Sequence, residues 1–392
     1  MAVNSIMMHS FDDIRSYNDN EVNDACRRLL ADEQFLKIIP LVFPGVPTEQ
    51  VMDIFRHLNS VDEEQTKIIL PFFDNLINKT LSNYNVIGLE KLGKEKEYSF
   101  ISNHRDIILD SALFNIFRYK AGLPTTEIAI GDNLFVQNWV EIFCKINRAF
   151  VVKRNLAPRE LLQASALLSA YIRSVITEKG RSVWIAQREG RAKNSDDRTQ
   201  PALLKMLAMS GKNSPAENLQ DLNIVPMAIS YEYDPCDFLK AKEFQQKRDN
   251  PGYKKTQADD SVNMLTGLLG WKGEIRYVVN GDINAELSNI AQNIKEKNQQ
   301  IEAAAQAIDR RIYANYTIYH CNEIALDMLA LGIEFKKTYK DADKKAFQIY
   351  LQGQIDKIDL PDKDEDFLRT KILEMYANPF INQLKTKKYE HN

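Results

Sequence analysis

Seven short runs rich in β-branched and aromatic residues constrain the fold of this chain most strongly. We predict strands at residues 85–88, 98–102, 127–130, 149–152, 182–186, 224–230 and 274–279. Helical stretches separate several of them, and the one over 158–177 begins with Pro158, a residue suited to the first helical turn. Strands that alternate with helices predict an α/β fold with a central mixed, largely parallel sheet and flanking helices.

Helical patterns precede and follow this segment. Apolar residues recur at three- and four-residue spacing up to about residue 80, and again over 283–331 and 361–387. We therefore predict a helical N-terminal region over 1–80, an α/β domain over 81–285 and a helical C-terminal region over 286–392. Within the α/β domain, the polar stretch 240–261 is predicted to be a mobile loop.

Composition narrows the class of protein. The net charge of −3 and the pI near 6.1 argue against a nucleic-acid binder. The four cysteines are far apart and show no metal-ligand spacing, so we expect reduced thiols of a cytoplasmic protein and no metal site. No run approaches the roughly 18 apolar residues of a spanning helix, so any membrane contact is expected to be peripheral.

Polar residues that follow the strands carry the functional signal, because loops at the carboxyl ends of such strands form the ligand crevice. His104 follows the strand over 98–102 and has Asp106 and Asp110 within six residues. A histidine oriented by a carboxylate can remove a proton from a hydroxyl near neutral pH. The same residues also fit a plain helix start with Asn103 as the cap. The segment alone leaves both interpretations open.

Three later segments add to this one. Lys153 and Arg154 follow the strand over 149–152, and paired cations at a strand end suit phosphate or carboxylate, although solvated charges are commoner. The strand over 182–186 ends in a turn of cations around one carboxylate and one glycine: Arg188, Glu189, Gly190, Arg191 and Lys193. The strand over 224–230 contains Pro226, which we predict starts the strand or lies at a sheet edge.

In their order and spacing, these four segments resemble the four sequence motifs of the glycerolipid acyltransferases. That family includes bacterial glycerol-3-phosphate and 1-acylglycerol-3-phosphate acyltransferases, and the resemblance covers residues 85–285. His104 matches the family's histidine, and Arg154 matches its phosphate-binding arginine. Glu189-Gly190-Arg191 matches the third motif and Pro226 the proline of the fourth.

The chain departs from the family pattern at one position. The family places four residues between its histidine and its aspartate, and the acid would then fall at Leu109. Asp110 lies one residue later and Asp106 lies two residues after the histidine. We favour Asp110 as the partner of His104, because Asp106 fits a helix-start acid near the positive end of the helix dipole.

The resemblance implies an acyltransferase that moves a fatty acyl group from acyl-CoA or acyl carrier protein to a hydroxyl of glycerol-3-phosphate or 1-acylglycerol-3-phosphate. His104 would be the general base, Arg154 and Arg191 would hold the phosphate with Lys153 or Arg188, and backbone amides of 103–106 would form the oxyanion site. No bound cofactor or metal is expected, and the enzyme would be peripheral to the cytoplasmic membrane face of a bacterium.

Two alternatives stay open at the sequence level. The first is the same chemistry on another lysolipid or on a hydroxylated amino lipid, because the cations suit any anionic head group. The second is a non-catalytic protein that binds acyl lipids, which the shifted aspartate keeps possible.

Overall fold

The computed structural model describes residues 11–389 and contains one seven-stranded sheet in the spatial order β1-β7-β6-β2-β5-β3-β4. The strands are β1 (Asn83–Ile87), β2 (Ser99–Ser102), β3 (Glu127–Gly131), β4 (Ala149–Val152), β5 (Val183–Ala186), β6 (Ile224–Tyr231) and β7 (Glu274–Val279). Each predicted strand is present, and the bounds differ from the prediction by no more than a few residues.

Helices precede, interrupt and follow the sheet. The first group comprises α1 (Asp19–Leu30), α2 (Glu33–Val42), α3 (Thr48–Arg56), α4 (Val61–Glu64) and α5 (Leu70–Thr80), with a π-helical turn at Gln65–Ile69. The second comprises α6 (Leu109–Lys120), α7 (Asn138–Ile146), α8 (Pro158–Thr177), α9 (Pro201–Ala208), α10 (Pro215–Gln220), α11 (Asp237–Asp249) and α12 (Gln257–Leu269). The third comprises α13 (Asn284–Asn293), α14 (Lys297–Ala314), α15 (His320–Leu329), α16 (Asp341–Asp356) and α17 (Glu365–Tyr389). Short 3₁₀ turns lie at Leu89–Lys91 and Asp132–Leu134.

The sheet is mixed and mostly parallel, as predicted. Five neighbouring strands, from β6 to β4, run in the same direction, and β6 pairs antiparallel with β7. β1 then pairs parallel with β7, so these two strands run against the other five. Among the described residues, no helix has both the length and the apolar character needed to cross a bilayer.

Apolar side chains cover both faces of the sheet, because successive strand residues point to opposite sides. In β2, Phe100 packs with Phe114 of α6, with ring centroids 4.8 Å apart. Its neighbour Ile101 faces the other layer, which includes Tyr171 of α8 and Ile308 of α14. The C-terminal helix α14 therefore shares a core with the sheet. The division into regions 1–80, 81–285 and 286–392 stays a prediction.

Pro226 does not have the position predicted for it. β6 is an internal strand with β2 on one side and β7 on the other, and Pro226 is its third residue, paired with Ile101 of β2. The ladder to β7 begins only at Met227, opposite Val279. At Pro226 the strand therefore has a partner on one side only, and the missing N–H is tolerated as at an edge.

The polar stretch 240–261 is also more regular than predicted. Most of it belongs to α11 and α12, and a short connection links the two helices. Lys, Glu and Gln are good helix formers, which explains α11. Thr256 and Asp259 form a reciprocal capping box that starts α12, because each side chain satisfies a free backbone amide of the other residue.

Candidate active site

Three of the four predicted segments meet because their strands are neighbours in register. Ser102, the last residue of β2, pairs with Ala186 of β5 and with Met227 of β6. The turn after β2 therefore lies between the charged turn after β5 and the last residues of β6. β3 and β4 continue the same edge beyond β5.

Asn103 fixes the start of the turn after β2. Its side-chain Nδ2 donates to the carbonyl of Ile229 at 2.9 Å, and its Oδ1 accepts from the N–H of Ile229 at 2.8 Å. Asn103 is fully buried and continues the β2–β6 ladder with its side chain. The alternative interpretation of Asn103 as a helix cap is wrong, because α6 begins only at Leu109.

The structure pairs His104 with Asp110. His104 Nδ1 lies 2.8 Å from Asp110 Oδ2, and the Asp110 carboxylate is fully buried. Tyr231, at the end of β6, donates its hydroxyl to Asp110 Oδ1 at 3.1 Å. Within residues 11–389, His104 Nε2 has no hydrogen-bond partner, and the side chain keeps 15% of its surface exposed. The geometry suits a base whose outer nitrogen faces a substrate.

Asp106 starts α6 instead of contacting His104. Its Oδ1 accepts from the N–H groups of Ile108 and Leu109 at 2.9 and 2.8 Å. Burial, followed by the charge of nearby Asp110, raises the pKa of Asp106, while the charge of Arg191 acts in the opposite direction. The one-residue shift of the aspartate is therefore accommodated by an extended turn before α6.

Two of the backbone amides predicted for the oxyanion site are already occupied. The N–H groups of Arg105 and Asp106 both donate to Asp110 Oδ2, at 2.6 and 3.1 Å. These two amides hold the carboxylate that orients His104, so they cannot also stabilise an oxyanion.

The second predicted segment contributes Arg154. Its guanidinium lies 3.1 Å from the carboxylate of Glu189, so the second and third segments touch. The backbone N–H of Arg154 donates to Asp132, which follows β3. Lys153 is exposed and has no ion-pair partner in the described part of the chain. Glu189 thus supplies the internal counter-charge that an anion could displace.

The third segment contains buried donors without partners. Arg191 Nη2 donates to Asn263 of α12 at 3.1 Å, whereas Arg191 Nη1 is buried and unpaired among residues 11–389. Arg188 Nε is also buried and has no hydrogen-bond partner among these residues. Gly190 has φ +68°, a conformation that favours glycine. Buried, unpaired guanidinium donors are costly unless an anion completes them.

Residues 83–230 match the family model described as Acyltransferase. That segment contains all four of the predicted motifs. Residues 83–230 are thus similar to an acyltransferase domain. The match confirms the family resemblance predicted from His104, Arg154, Glu189-Gly190-Arg191 and Pro226.

Other comparisons add little to the family match. Among solved structures, the chain is similar to the 1-acyl-sn-glycerophosphate (LPA) acyltransferase PlsC from Thermotoga maritima. The two share 9% sequence identity with a TM-score of 0.37, over 76% of this chain and 96% of that one. No curated protein matches the chain.

A set of buried contacts that the sequence did not reveal holds Arg105, the residue after His104. The Arg105 guanidinium lies 2.7 Å from Asp197, and both side chains are almost fully buried. Tyr316, beyond α14, donates its hydroxyl to Asp197 at 2.6 Å. Lys240 of α11 donates to the backbone carbonyl of Arg105 at 3.2 Å. Arg105, which follows His104, is thus held by Asp197 and Lys240, and Tyr316 in turn holds Asp197. These contacts join distant parts of the chain.

Proposed function

We propose that this protein is an O-acyltransferase that moves a fatty acyl group from acyl-CoA or acyl carrier protein to a hydroxyl of glycerol-3-phosphate or 1-acylglycerol-3-phosphate. The observation that carries the proposal is the His104–Asp110 pair, which lies at the same edge of the sheet as the Arg154 and Arg191 cations. Among residues 11–389, His104 Nε2 has no hydrogen-bond partner. The match of residues 83–230 to the acyltransferase family supports the reaction class.

The acceptor hydroxyl is the nucleophile in this mechanism. His104 Nε2 takes the hydroxyl proton as the oxygen attacks the thioester carbonyl, and a tetrahedral intermediate forms. Asp110 keeps the Nδ1–H tautomer and stabilises the imidazolium. When the C–S bond breaks, the imidazolium returns the proton to the departing thiolate, which leaves as a thiol. The products are an ester and the free carrier thiol.

The cations select an acceptor that bears phosphate. Among residues 11–389, Arg191 Nη1 and Arg188 Nε are buried donors without hydrogen-bond partners, and Arg154 has the exposed Glu189 as its counter-ion. A phosphate would pair with these donors through charge-assisted hydrogen bonds, which are roughly twice as strong as neutral ones. Lys153, at the exposed rim, would add charge to the entrance.

Acyl transfer from a radiolabelled thioester tests the proposal. We expect transfer to glycerol-3-phosphate or 1-acylglycerol-3-phosphate, and a loss of about two to four decades of rate in His104→Ala. A panel that adds other lysolipids and a hydroxylated amino lipid identifies the acceptor. Near-normal transfer by His104→Ala would refute the mechanism. Thioester consumption that needs no acceptor, or none at all, would refute the proposed function.

The proposal includes a peripheral position at the cytoplasmic face of the membrane. An acceptor such as 1-acylglycerol-3-phosphate resides in a lipid layer, whereas both thioester donors are water-soluble. An enzyme that uses both must work at the boundary between them.

A further inference from the structure

Helix α12 carries an apolar surface that the rest of the fold leaves uncovered. Its apolar residues Val262, Leu265 and Leu269 recur at helical spacing. Trp271 lies two residues after the end of the helix. These four side chains are 51–63% exposed. A soluble helix normally turns such a stripe towards the core. Here the stripe faces outward, so it needs a different explanation.

The opposite face of α12 is firmly attached to the candidate active site. Arg191 donates to Asn263, whose backbone carbonyl also accepts from the Cys236 thiol at 3.3 Å. Gly267 lies so close to Asp106 that a Cβ there would come within 2.0 Å of Asp106 Oδ2. Lys272 donates to the carbonyl of Leu268 at 3.0 Å and holds the end of the helix. The exposed stripe is therefore fixed in its outward orientation.

Positive charge accompanies this stripe. Residues 240–272 contain seven lysines and arginines against four acidic residues. Lys240 and Lys272 are buried, so the remaining five cations are the ones that a membrane could meet. Lys242 and Lys254 have no ion-pair partner in the described part of the chain, and Lys254 is exposed. Lysines near an apolar helix face, with a tryptophan at its end, suit a surface that lies in the interface of an anionic bilayer.

We propose that the exposed face of α12, made of Val262, Leu265, Leu269 and Trp271, inserts into the interfacial layer of an anionic membrane. The inference deepens the proposed function and rests on it for the identity of the acceptor. Because α12 lies directly against Asp106 and Arg191, a lipid acceptor would enter the site from the membrane beside this helix. An exposed apolar face with a large aromatic ring fits a lipid layer better than it fits an acidic carrier protein.

Vesicle flotation tests this surface without depending on catalysis. The probes are vesicles of phosphatidylcholine alone and vesicles with an equal share of phosphatidylglycerol. We expect wild-type protein to float with the anionic vesicles, and high salt to weaken this binding. Leu265→Gln with Leu269→Gln should reduce the partition coefficient about tenfold or more. Leu331→Gln with Ile349→Gln, at two exposed apolar positions outside α12, is the matched control and should bind like wild type.

A second measurement follows Trp271. Its emission should shift to shorter wavelength on anionic vesicles, and Trp271→Phe should lose that shift while Trp139 and Trp184 remain. Equal vesicle binding by wild type and the Leu265/Leu269 variant overturns the inference. The inference is also overturned if the wild type proves to be a dimer that the Leu265/Leu269 substitutions turn into a monomer. A selective loss of transfer from acyl carrier protein in that variant overturns it as well. His104→Ala should still float, so a wild type that binds vesicles but transfers no acyl group refutes only the proposed function.

Discussion

The two aspartates near His104 differ in what they contact, and that difference separates their roles. Asp110 Oδ2 accepts from the His104 ring and from two backbone N–H groups, whereas Asp106 Oδ1 accepts only from the two amides at the start of α6. An asparagine at either position can keep an oxygen for these donors. Substitution by asparagine therefore removes mainly the charge.

We expect Asp110→Asn to lower kcat by about 10²- to 10⁴-fold, because the imidazolium loses the charge of the carboxylate that stabilises it. Asp106→Asn is the matched control and should change kcat only a few-fold. Steady-state kinetics with a saturating acyl thioester measure both. The opposite ranking of the two variants would assign the orienting role to Asp106.

The cations should affect acceptor binding more than chemistry. We expect Arg154→Met and Arg191→Met each to raise KM for a phosphate-bearing acceptor about tenfold to a hundredfold, the equivalent of one charge-assisted hydrogen bond. KM for the thioester donor should stay unchanged. Arg198→Met is the control, since Arg198 is 73% exposed and pairs with neighbouring Asp196. A rise in donor KM alone would assign these cations to the donor.

At the scale of elements, α12 depends on the absence of a side chain at Gly267. A Cβ there would come within 2.0 Å of Asp106 Oδ2 and 3.1 Å of its Cγ. Asp106 cannot turn away freely, because its other oxygen binds two backbone amides. A larger residue must therefore displace the helix or disturb the turn that leads into α6.

We expect Gly267→Ala to destabilise the fold by about 1–3 kcal/mol and to lower kcat about tenfold or more. Gly353→Ala in α16 is the matched control. A Cβ at Gly353 meets nothing within 4 Å, so alanine should raise stability by about 0.5–1 kcal/mol and leave kcat unchanged. Urea unfolding and steady-state kinetics measure the two effects. Equal behaviour of both variants would mean that α12 is not closely seated on Asp106.

The strands were more predictable than the parts that assemble the site. β4 and α8 have the predicted bounds, because local periodicity and Pro158 mark them. The local pattern did not show that Asn103 would bind a strand 126 residues away, nor that Tyr231 would reach Asp110. The helical nature of 240–261 was hidden because α11 buries polar side chains, among them Lys240, Glu243 and Gln245, and so shows no apolar stripe.

At the scale of the whole molecule, the C-terminal region supports the turn that contains His104 through Asp197 and Arg105. Tyr316 binds Asp197, which pairs with Arg105 beside His104. Nearby, Asp309 of α14 accepts from the N–H and hydroxyl of Thr199 at 2.8 and 2.6 Å. Burial raises the pKa of Asp309 from 3.8 to about 6. The folded protein thus keeps a proton that the unfolded chain releases between these two values.

We expect this group to make stability fall as pH rises from about 4 to about 6, with the cost persisting above that range. Asp309→Asn keeps an acceptor for Thr199 and removes the buried charge. It should therefore leave stability unchanged below pH 4 and raise it by roughly 1–2 kcal/mol at pH 7. Thermal or urea unfolding at pH 4 and pH 7 measures the difference. An equal effect at both pH values would show that the charge of Asp309 is not responsible.

The bond between Asn103 and Ile229 also has a consequence for how the protein is made. Ile229 lies 126 residues after Asn103 and must be synthesised before the turn that contains His104 can bind β6, and Tyr231 supports Asp110 slightly later. Contacts of such long sequence separation form late, because closing a long loop costs entropy before the contact repays it. A nascent chain that ends before β6 would therefore carry His104 without its fixed orientation. The turn that contains His104 would become ordered only near the end of synthesis of the sheet.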